Sequence, residues 1–170
     1  MERVAKFEKV SFEQFVSAYN NAFPSMTRED IAGCYDAVSL PLRATAFSAG
    51  YDFRSPFEFE LNPGESITVP TGIRAAISPG WALFVYPRSG LGFKFRLQLN
   101  NTVGVIDGDY YFADNEGHIM IKIMNDSREQ KTVRITTGDA FAQGVFMQYG
   151  ITEDDCADAK RSGGFGSTGH

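Results

Sequence analysis

The chain has 170 residues, 43% of them hydrophobic and 14% aromatic, which is enough apolar content for one globular domain and argues against a disordered chain. Its 16 basic and 21 acidic residues leave a net charge of −5, which argues against a nucleic-acid-binding surface. The apolar runs are far shorter than the ~20 residues a bilayer requires, and two cysteines without a signal-like N-terminus indicate a cytoplasmic protein with no membrane contact.

The first 38 residues are predicted to be helical. Ser11 followed by Gln14 is a capping-box pattern, and apolar residues recur behind it at helical spacing. This helix should end before Pro24, because proline cannot continue a helix. A second helix is predicted to begin after Thr27, with acidic residues in its first turn, and to end by Pro41.

From Leu42 onward the apolar period becomes two, which is typical of strands. Short strands about ten residues apart, separated by Pro-Gly turns, predict a mainly β protein, a sandwich or jelly roll, without the βαβ alternation of Rossmann or TIM folds. Beyond Gly150 the glycine-rich sequence predicts a flexible tail. The chain is thus divided into an N-terminal helical extension (1–39), a β-domain (40–150) and a C-terminal arm (151–170). The predicted strands are Phe57–Leu61, Ser66–Val69, Gly72–Ile77, Trp81–Tyr86, Lys94–Leu99, His118–Met124, Lys131–Ile135 and Ala140–Tyr149.

Five segments carry residues suited to binding or catalysis, although each has a purely structural interpretation when taken alone. Asp107-Gly108, for example, is typical of a plain hairpin turn. The last segment combines glycines with one arginine and one phenylalanine, which suits a polyphosphate and a base but also fits a mobile terminus. It is not a Walker loop, because His170 stands where lysine is required. The segments are Arg43–Asp52, Pro87–Gly92, Gly104–Tyr110, Gly138–Gln143 and Arg161–Gly169.

In this order, the five segments resemble the five motifs of the trimeric dUTP diphosphatase (dUTPase) family, over residues Leu40 to Gly169. The resemblance implies a jelly-roll β-barrel that assembles into a homotrimer whose active sites are shared by three subunits. It also implies the hydrolysis of dUTP to dUMP and pyrophosphate, by attack of water on the α-phosphorus with Mg²⁺ bound by the triphosphate. Such an activity limits uracil entry into DNA and supplies dUMP for dTMP synthesis.

The resemblance assigns roles residue by residue. Asp107 matches the carboxylate that activates the water, and Asp52 matches the acidic position that helps to place the hydrated Mg²⁺. Tyr110 matches the ring that packs under the deoxyribose and leaves no room for a 2′-hydroxyl. The other matched positions bind substrate: Arg88, Ser89 and Gly90 at the α- and β-phosphates, Gln143 at the phosphates, Asn101 and Gly104 in the uracil pocket, Arg161 at the γ-phosphate, and Phe165 over uracil, with Gly166 and Ser167 beside it.

The sequence departs from the family pattern in three places, of which the first is the added N-terminal helical segment. Two alternative functions share the same scaffold. After Tyr110 the family commonly continues Arg-Gly-Glu, whereas here the segment Tyr111–His118 is several residues longer. Ala140-Phe141 stands where Arg-Ile is frequent. A dCTP deaminase would share the fold and the trimer but needs a glutamate near the position of Lys122. A nucleotide-switched regulatory binding protein would use the N-terminal helices for contact.

Overall fold

The structure is a computed structural model that describes residues 2–157. Within this range the chain forms twelve strands, three α-helices and one 3₁₀ helix. In chain order they are β1 (Ala5–Lys9), α1 (Phe12–Ala22), α2 (Arg28–Ala37), β2 (Leu42–Arg43), β3 (Tyr51–Arg54), β4 (Phe59–Leu61), β5 (Ser66–Pro70), β6 (Ile73–Ile77), β7 (Trp81–Pro87), α3 (Ser89–Phe95), β8 (Leu97–Leu99), β9 (Gly104–Ile106), the 3₁₀ helix (Gly108–Phe112), β10 (Met120–Asn125), β11 (Val133–Ile135) and β12 (Ala140–Gln148).

The two predicted N-terminal helices are confirmed, and side-chain caps explain where they begin. The Oγ of Ser11 accepts a hydrogen bond from the backbone N–H of Gln14 at 3.2 Å, at the start of α1. Thr27 and Asp30 form a reciprocal capping box at the start of α2. These contacts satisfy N–H groups that have no partner inside the helix. No helix in the described part of the chain is long and apolar enough to cross a bilayer.

The strands pair antiparallel throughout the described range, which confirms the mainly β class and is consistent with a jelly roll. The largest sheet has the strand order β2-β3-β12-β7-β9, and a second sheet has the order β5-β10-β8. Two further pairs join β1 to β6 and β11 to β4. The side chains of Phe53, Val85 and Phe141 from the largest sheet are buried in the same core as Phe15 and Tyr19 of α1.

The prediction that the first 38 residues are helical is wrong at its beginning. Residues Ala5–Lys9 form β1, with Ala5 opposite Ile77 and Lys9 opposite Ile73. The partner strand lies about 70 residues further along the chain, so local periodicity carried no sign of this pairing. The division of the chain at residues 39/40 and 150/151 stays a prediction, although the first of these boundaries crosses one continuous core.

The predicted strand Lys94–Leu99 is also wrong in its first half. The chain forms α3 instead, in which Leu91 and Phe95 lie about one turn apart and both pack against the core. The helix ends at Arg96, whose φ of 51° is in the left-handed region that commonly terminates helices. Only Leu97–Leu99 then continue as a strand, hydrogen-bonded to β10.

Candidate active site

One group of predicted site residues lies on neighbouring strands of the five-stranded sheet. Gln143 of β12 lies opposite Asp52 of β3 on one side and opposite Tyr86 of β7 on the other. Residues directly opposite one another in a ladder project from the same face of a sheet. The register therefore places the Asp52 carboxylate beside the Gln143 amide, both half-buried.

The second motif meets this pair where β7 ends. Arg88 follows β7 directly, and its Nε lies 3.4 Å from Oδ1 of Asp52. The Asp52 side chain is only 14% exposed, whereas that of Arg88 is 44% exposed, so the guanidinium can pair with Asp52 and still reach solvent. Ser89 and Gly90 are exposed in the first turn of α3. We call Asp52, Arg88, Ser89, Gly90 and Gln143 the strand-end group.

Two more predicted residues, Asn101 and Gly104, line a cavity of about 290 Å³. Gly104 lies opposite Val85, and a Cβ at Gly104 would come within 3.3 Å of the Val85 Cβ. The absence of a side chain thus lets β9 pack closely against β7 at this point. The full lining is Thr68, Val85, Leu99, Asn100, Asn101, Gly104, Ile106, Ile119, Met120, Ile121 and Lys122.

Sequence reasoning did not include the contribution of β5 and β10 to this cavity. Thr68 and Lys122 both line it, and they lie opposite each other in the ladder. The alternation of β10 held a signal, because Ile121 and Ile123 are buried on one face and Lys122 lies on the other. Lys122 occupies the place where the deaminase alternative would need a glutamate.

Asp107 and Tyr110 lie where β9 leaves the sheet. The purely structural alternative, in which Asp107-Gly108 is a plain hairpin turn, is wrong, since β9 pairs with β7 and then runs into the 3₁₀ helix. Asp107 is exposed directly before that helix. Tyr110 is only 2% exposed, and its hydroxyl donates to the carbonyl oxygen of His118 at 2.8 Å and accepts from Nδ2 of Asn115 at 2.7 Å.

Asp107 and the strand-end group lie at opposite ends of one strand pair. In the ladder of β7 and β9, Val85 lies opposite Gly104. Arg88 lies three residues beyond Val85 in one direction, and Asp107 lies three residues beyond Gly104 in the other. At ~3.3 Å per residue, the two are roughly 20 Å apart along the strands. One subunit therefore does not bring all the predicted residues together.

Four predicted residues, Arg161, Phe165, Gly166 and Ser167, lie outside the described residues. Within residues 2–157 no three His, Cys, Asp or Glu side chains cluster as a metal site would require. The donor set at Asp52 still fits Mg²⁺, which is commonly held by one or two carboxylates together with substrate phosphates and its own waters.

Comparison with known proteins identifies the family. Residues 36–169 match the dUTPase family model. The chain is 42% identical over 135 residues to the deoxyuridine 5′-triphosphate nucleotidohydrolase of Lactococcus lactis, covering 78% of this chain and 89% of that protein. The chain belongs to the dUTPase family.

Solved dUTPase structures have the same fold. The dUTPase of Streptococcus mutans matches with a TM-score of 0.63 at 33% identity, over 86% of this chain and 98% of that one. A mutant dUTPase from phage phi11 of S. aureus, whose structure describes the coordination of a structural Mg(II) ion, matches in fold with a TM-score of 0.64 at 20% identity, over 92% of this chain and 98% of that one. The match to the dUTPase family model begins at residue 36, so β1, α1 and most of α2 precede it.

Proposed function

We propose that this protein hydrolyses dUTP to dUMP and pyrophosphate. The observation that carries the proposal is the match of residues 36–169, which contain all five motifs, to the dUTPase family. The unpaired Cys34 and Cys156 fit a reducing compartment, in accord with a cytoplasmic location.

The strand-end group is suited to the triphosphate. Arg88 offers a planar set of N–H donors that matches phosphate oxygens, and its partly exposed side chain can turn toward a ligand. Ser89 adds a hydroxyl, and Gly90 lets the backbone approach closely. The side-chain amide of Gln143 can donate to a phosphate oxygen from the same sheet face as Asp52.

The cavity at Asn101 and Gly104 is suited to the base. Its apolar walls can enclose a flat ring, while backbone groups and Asn101 supply the donors and acceptors that a uracil edge needs. A slot lined by backbone rejects cytosine because its amine would leave an acceptor or donor unpaired. We assign the stacking contact over uracil to Phe165, with Gly166 and Ser167 beside it, and the γ-phosphate contact to Arg161.

Asp107 is the residue we assign to catalysis. Its exposed carboxylate can accept a hydrogen bond from water, orient that water toward the α-phosphorus and take its proton as the P–O bond forms. The bond between the α-phosphorus and the oxygen that bridges it to the β-phosphate then breaks, and pyrophosphate leaves. Bound Mg²⁺ supplies charge neutralisation on the phosphates, and Asp52 is the side chain that would hold its hydration shell.

We propose that the protein acts as a homotrimer. Asp107 and the strand-end group are roughly 20 Å apart in one chain by strand register, so a complete site needs the Asp107 of one subunit beside the strand-end group of another. Large apolar side chains on the five-stranded sheet are also exposed: Leu42 by 67%, Val105 by 47% and Met147 by 43%. Light scattering coupled to size-exclusion chromatography tests the mass, and a monomer that is fully active would contradict the shared site.

The activity is tested by measuring pyrophosphate release from dUTP, dCTP, dTTP and UTP, each with Mg²⁺ and with a chelator. We expect release from dUTP alone, and loss of that release with the chelator. Ammonia released from dCTP would instead identify a deaminase. Absence of turnover with all four nucleotides would contradict the enzymatic proposal and favour a nucleotide-binding regulatory protein.

A further inference from the structure

Two parts of the chain that depart from the family pattern contact each other. Helix α1 precedes the residues that match the family model. The family resemblance implies that the loop Tyr111–His118, in which Glu116-Gly117 resumes the family pattern, is several residues longer than usual. Ser11, which caps α1, donates to the Glu116 carboxylate from its backbone N–H at 2.8 Å and from its Oγ at 2.6 Å. One carboxylate thus joins the N-terminal helix to this longer loop across 105 residues of sequence.

The link between α1 and the loop is charged. Burial raises the pKa of Glu116, but the hydrogen bonds from Ser11, together with the smaller effects of Arg74 and His118, leave that pKa below its ordinary value. The carboxylate is therefore ionised at neutral pH, and both bonds from Ser11 are of the stronger, charge-assisted kind.

A second link joins the same loop to β1. The hydroxyl of Tyr111 donates to Glu8 of β1 at 2.7 Å. Arg74 of β6 lies 3.1 Å from the same Glu8 carboxylate oxygen and 4.4 Å from the centre of the Tyr111 ring. The beginning of the loop is thus held against the strand pair β1–β6.

The loop in turn holds Tyr110. The Tyr110 hydroxyl is bonded to the His118 carbonyl and to Asn115, both at the far end of the loop. Gly117 packs so closely that a Cβ there would lie 2.7 Å from the Tyr110 carbonyl oxygen. The position of the Tyr110 ring therefore depends on the loop that Ser11 and Glu8 secure.

We propose that Glu116 is a positioning residue that acts through Ser11 to fix Tyr110, and thereby sets the selectivity for deoxyribonucleotides over ribonucleotides. This inference rests on the proposed function and on the role that the family resemblance implies for Tyr110, which is to pack under the sugar. A wall that excludes one hydroxyl by contact must keep its place to within about 0.5 Å. The N-terminal segment supplies that rigidity from outside the motifs.

The first test compares kcat/KM for dUTP and UTP in Glu116→Ala and in a matched control. The control is Gln130→Ala, because Gln130 is an exposed loop residue with a φ of 53°, close to the 58° of Glu116. Both variants place alanine in the same left-handed conformation. We expect Glu116→Ala to lower the dUTP/UTP ratio by about tenfold, the size of effect that one hydrogen bond to a charged group carries, and Gln130→Ala to leave it unchanged.

Two further variants separate positioning from helix stability. Ser11→Ala and Thr27→Ala each remove an N-cap hydroxyl, and only Ser11 contacts the loop. Similar falls in Tm, with a changed dUTP/UTP ratio in Ser11→Ala alone, would support the proposal. Equal changes of the ratio in both variants would overturn it. Glu116→Gln keeps the reach and one acceptor oxygen, so it should restore most of the ratio.

Hydrogen exchange gives a readout that does not require turnover. Glu116→Ala should speed amide exchange across Gly108–Ala113, and Gln130→Ala should not. Unchanged exchange overturns the inference whatever the activity, as does an unchanged dUTP/UTP ratio in Glu116→Ala. A parent protein that does not hydrolyse dUTP overturns the proposed function instead, and exchange then decides whether the loop positions Tyr110.

Discussion

The two regions of the candidate site are held in place by different means. The strand-end group is set by strand register: Asp52 and Gln143 are cross-strand partners, and Arg88 continues the strand next to them. The segment Asp107–Tyr110 has left its sheet, and Tyr110 is held by side-chain hydrogen bonds to Asn115 and the His118 carbonyl. One region takes its geometry from the backbone ladder, the other from hydrogen bonds of a side chain to residues five and eight positions further along the chain.

This difference predicts how each region responds to change. A sheet ladder is shared by many residues, so a single substitution alters a strand-end side chain without moving its neighbours. A segment held by a few side-chain contacts shifts as a unit when one contact is lost. Mutations that remove a contact holding Tyr110 should therefore affect stability, selectivity and turnover together, whereas mutations at the strand ends should affect binding alone.

The largest effect should come from Asp107→Asn, which tests whether the segment Asp107–Tyr110 carries the chemistry. We expect kcat to fall by about 10³-fold, the scale of general base catalysis, while dUTP binding and Tm stay close to those of the parent. Asp109→Asn is the matched control, since it is also exposed and lies two residues away. A large loss in Asp109→Asn and none in Asp107→Asn would move the assignment of the water-activating carboxylate from Asp107 to Asp109.

The sequence predicted the strand-end region better than the other, and the reason is physical. Motifs at the ends of regular strands come together through register. The sequence predicted β7 and β12 but missed β3 (Tyr51–Arg54), and the family resemblance linked Asp52 to Arg88 and Gln143. The helices α1 and α2 were found because their capping residues are local signals. The arm residues Arg161 and Phe165 lie outside the described residues, so their placement stays a prediction.

The failures have a common cause in long-range contacts. The strand β1 forms by pairing with β6, about 70 residues later, and no local sequence pattern predicted this strand. Phe95, Leu97 and Leu99 alternate as a strand would, yet Arg96 turns through a left-handed conformation and separates a helix from β8. The hydrogen bonds from Ser11 to Glu116 were not predicted from the sequence either. The unusual length of the loop after Tyr110 was the only sequence feature that distinguished this region.

The second-largest expected effect concerns His118. Its carbonyl oxygen binds the Tyr110 hydroxyl, and its side chain is buried in the core. Its side chain is fully buried beside the Phe15 ring, and Nε2 accepts from the backbone N–H of Gly72 at 2.8 Å. Burial lowers the pKa of His118 to about 4, against an effect of Glu116 in the opposite direction. The folded protein therefore keeps the imidazole neutral where the unfolded chain, with a pKa of about 6.5, takes up a proton.

The direction in which stability changes with pH follows from this difference in proton uptake. Stability from the neutral His118 is fully present above pH ~6.5 and declines as the pH falls toward 4, by roughly 3 kcal/mol in all. His118→Gln retains an acceptor for Gly72 but no titrating group, so its free energy of unfolding should change less across this window. Urea unfolding at pH 7, 6, 5 and 4.5 measures both curves. Parallel curves for parent and variant would show that His118 does not titrate as proposed.

The smallest effect is expected at the strand ends, where Gly50→Ala should alter binding without altering stability. A Cβ at Gly50 would collide with Oε1 of Gln143, the end of a flexible side chain that can turn away. We expect KM for dUTP to rise about tenfold, equivalent to one lost hydrogen bond to a charged ligand, with Tm unchanged.

The matched control is Gly144→Ala on the core side of β12, where a Cβ would lie 2.7 Å from Leu83 and 3.0 Å from Phe53. That variant should lose about 1–3 kcal/mol of stability through overpacking and keep its KM. A fall in Tm for Gly50→Ala, or an unchanged KM, would mean that Gln143 is held by packing and not poised for phosphate, and the contrast between the two regions would fail.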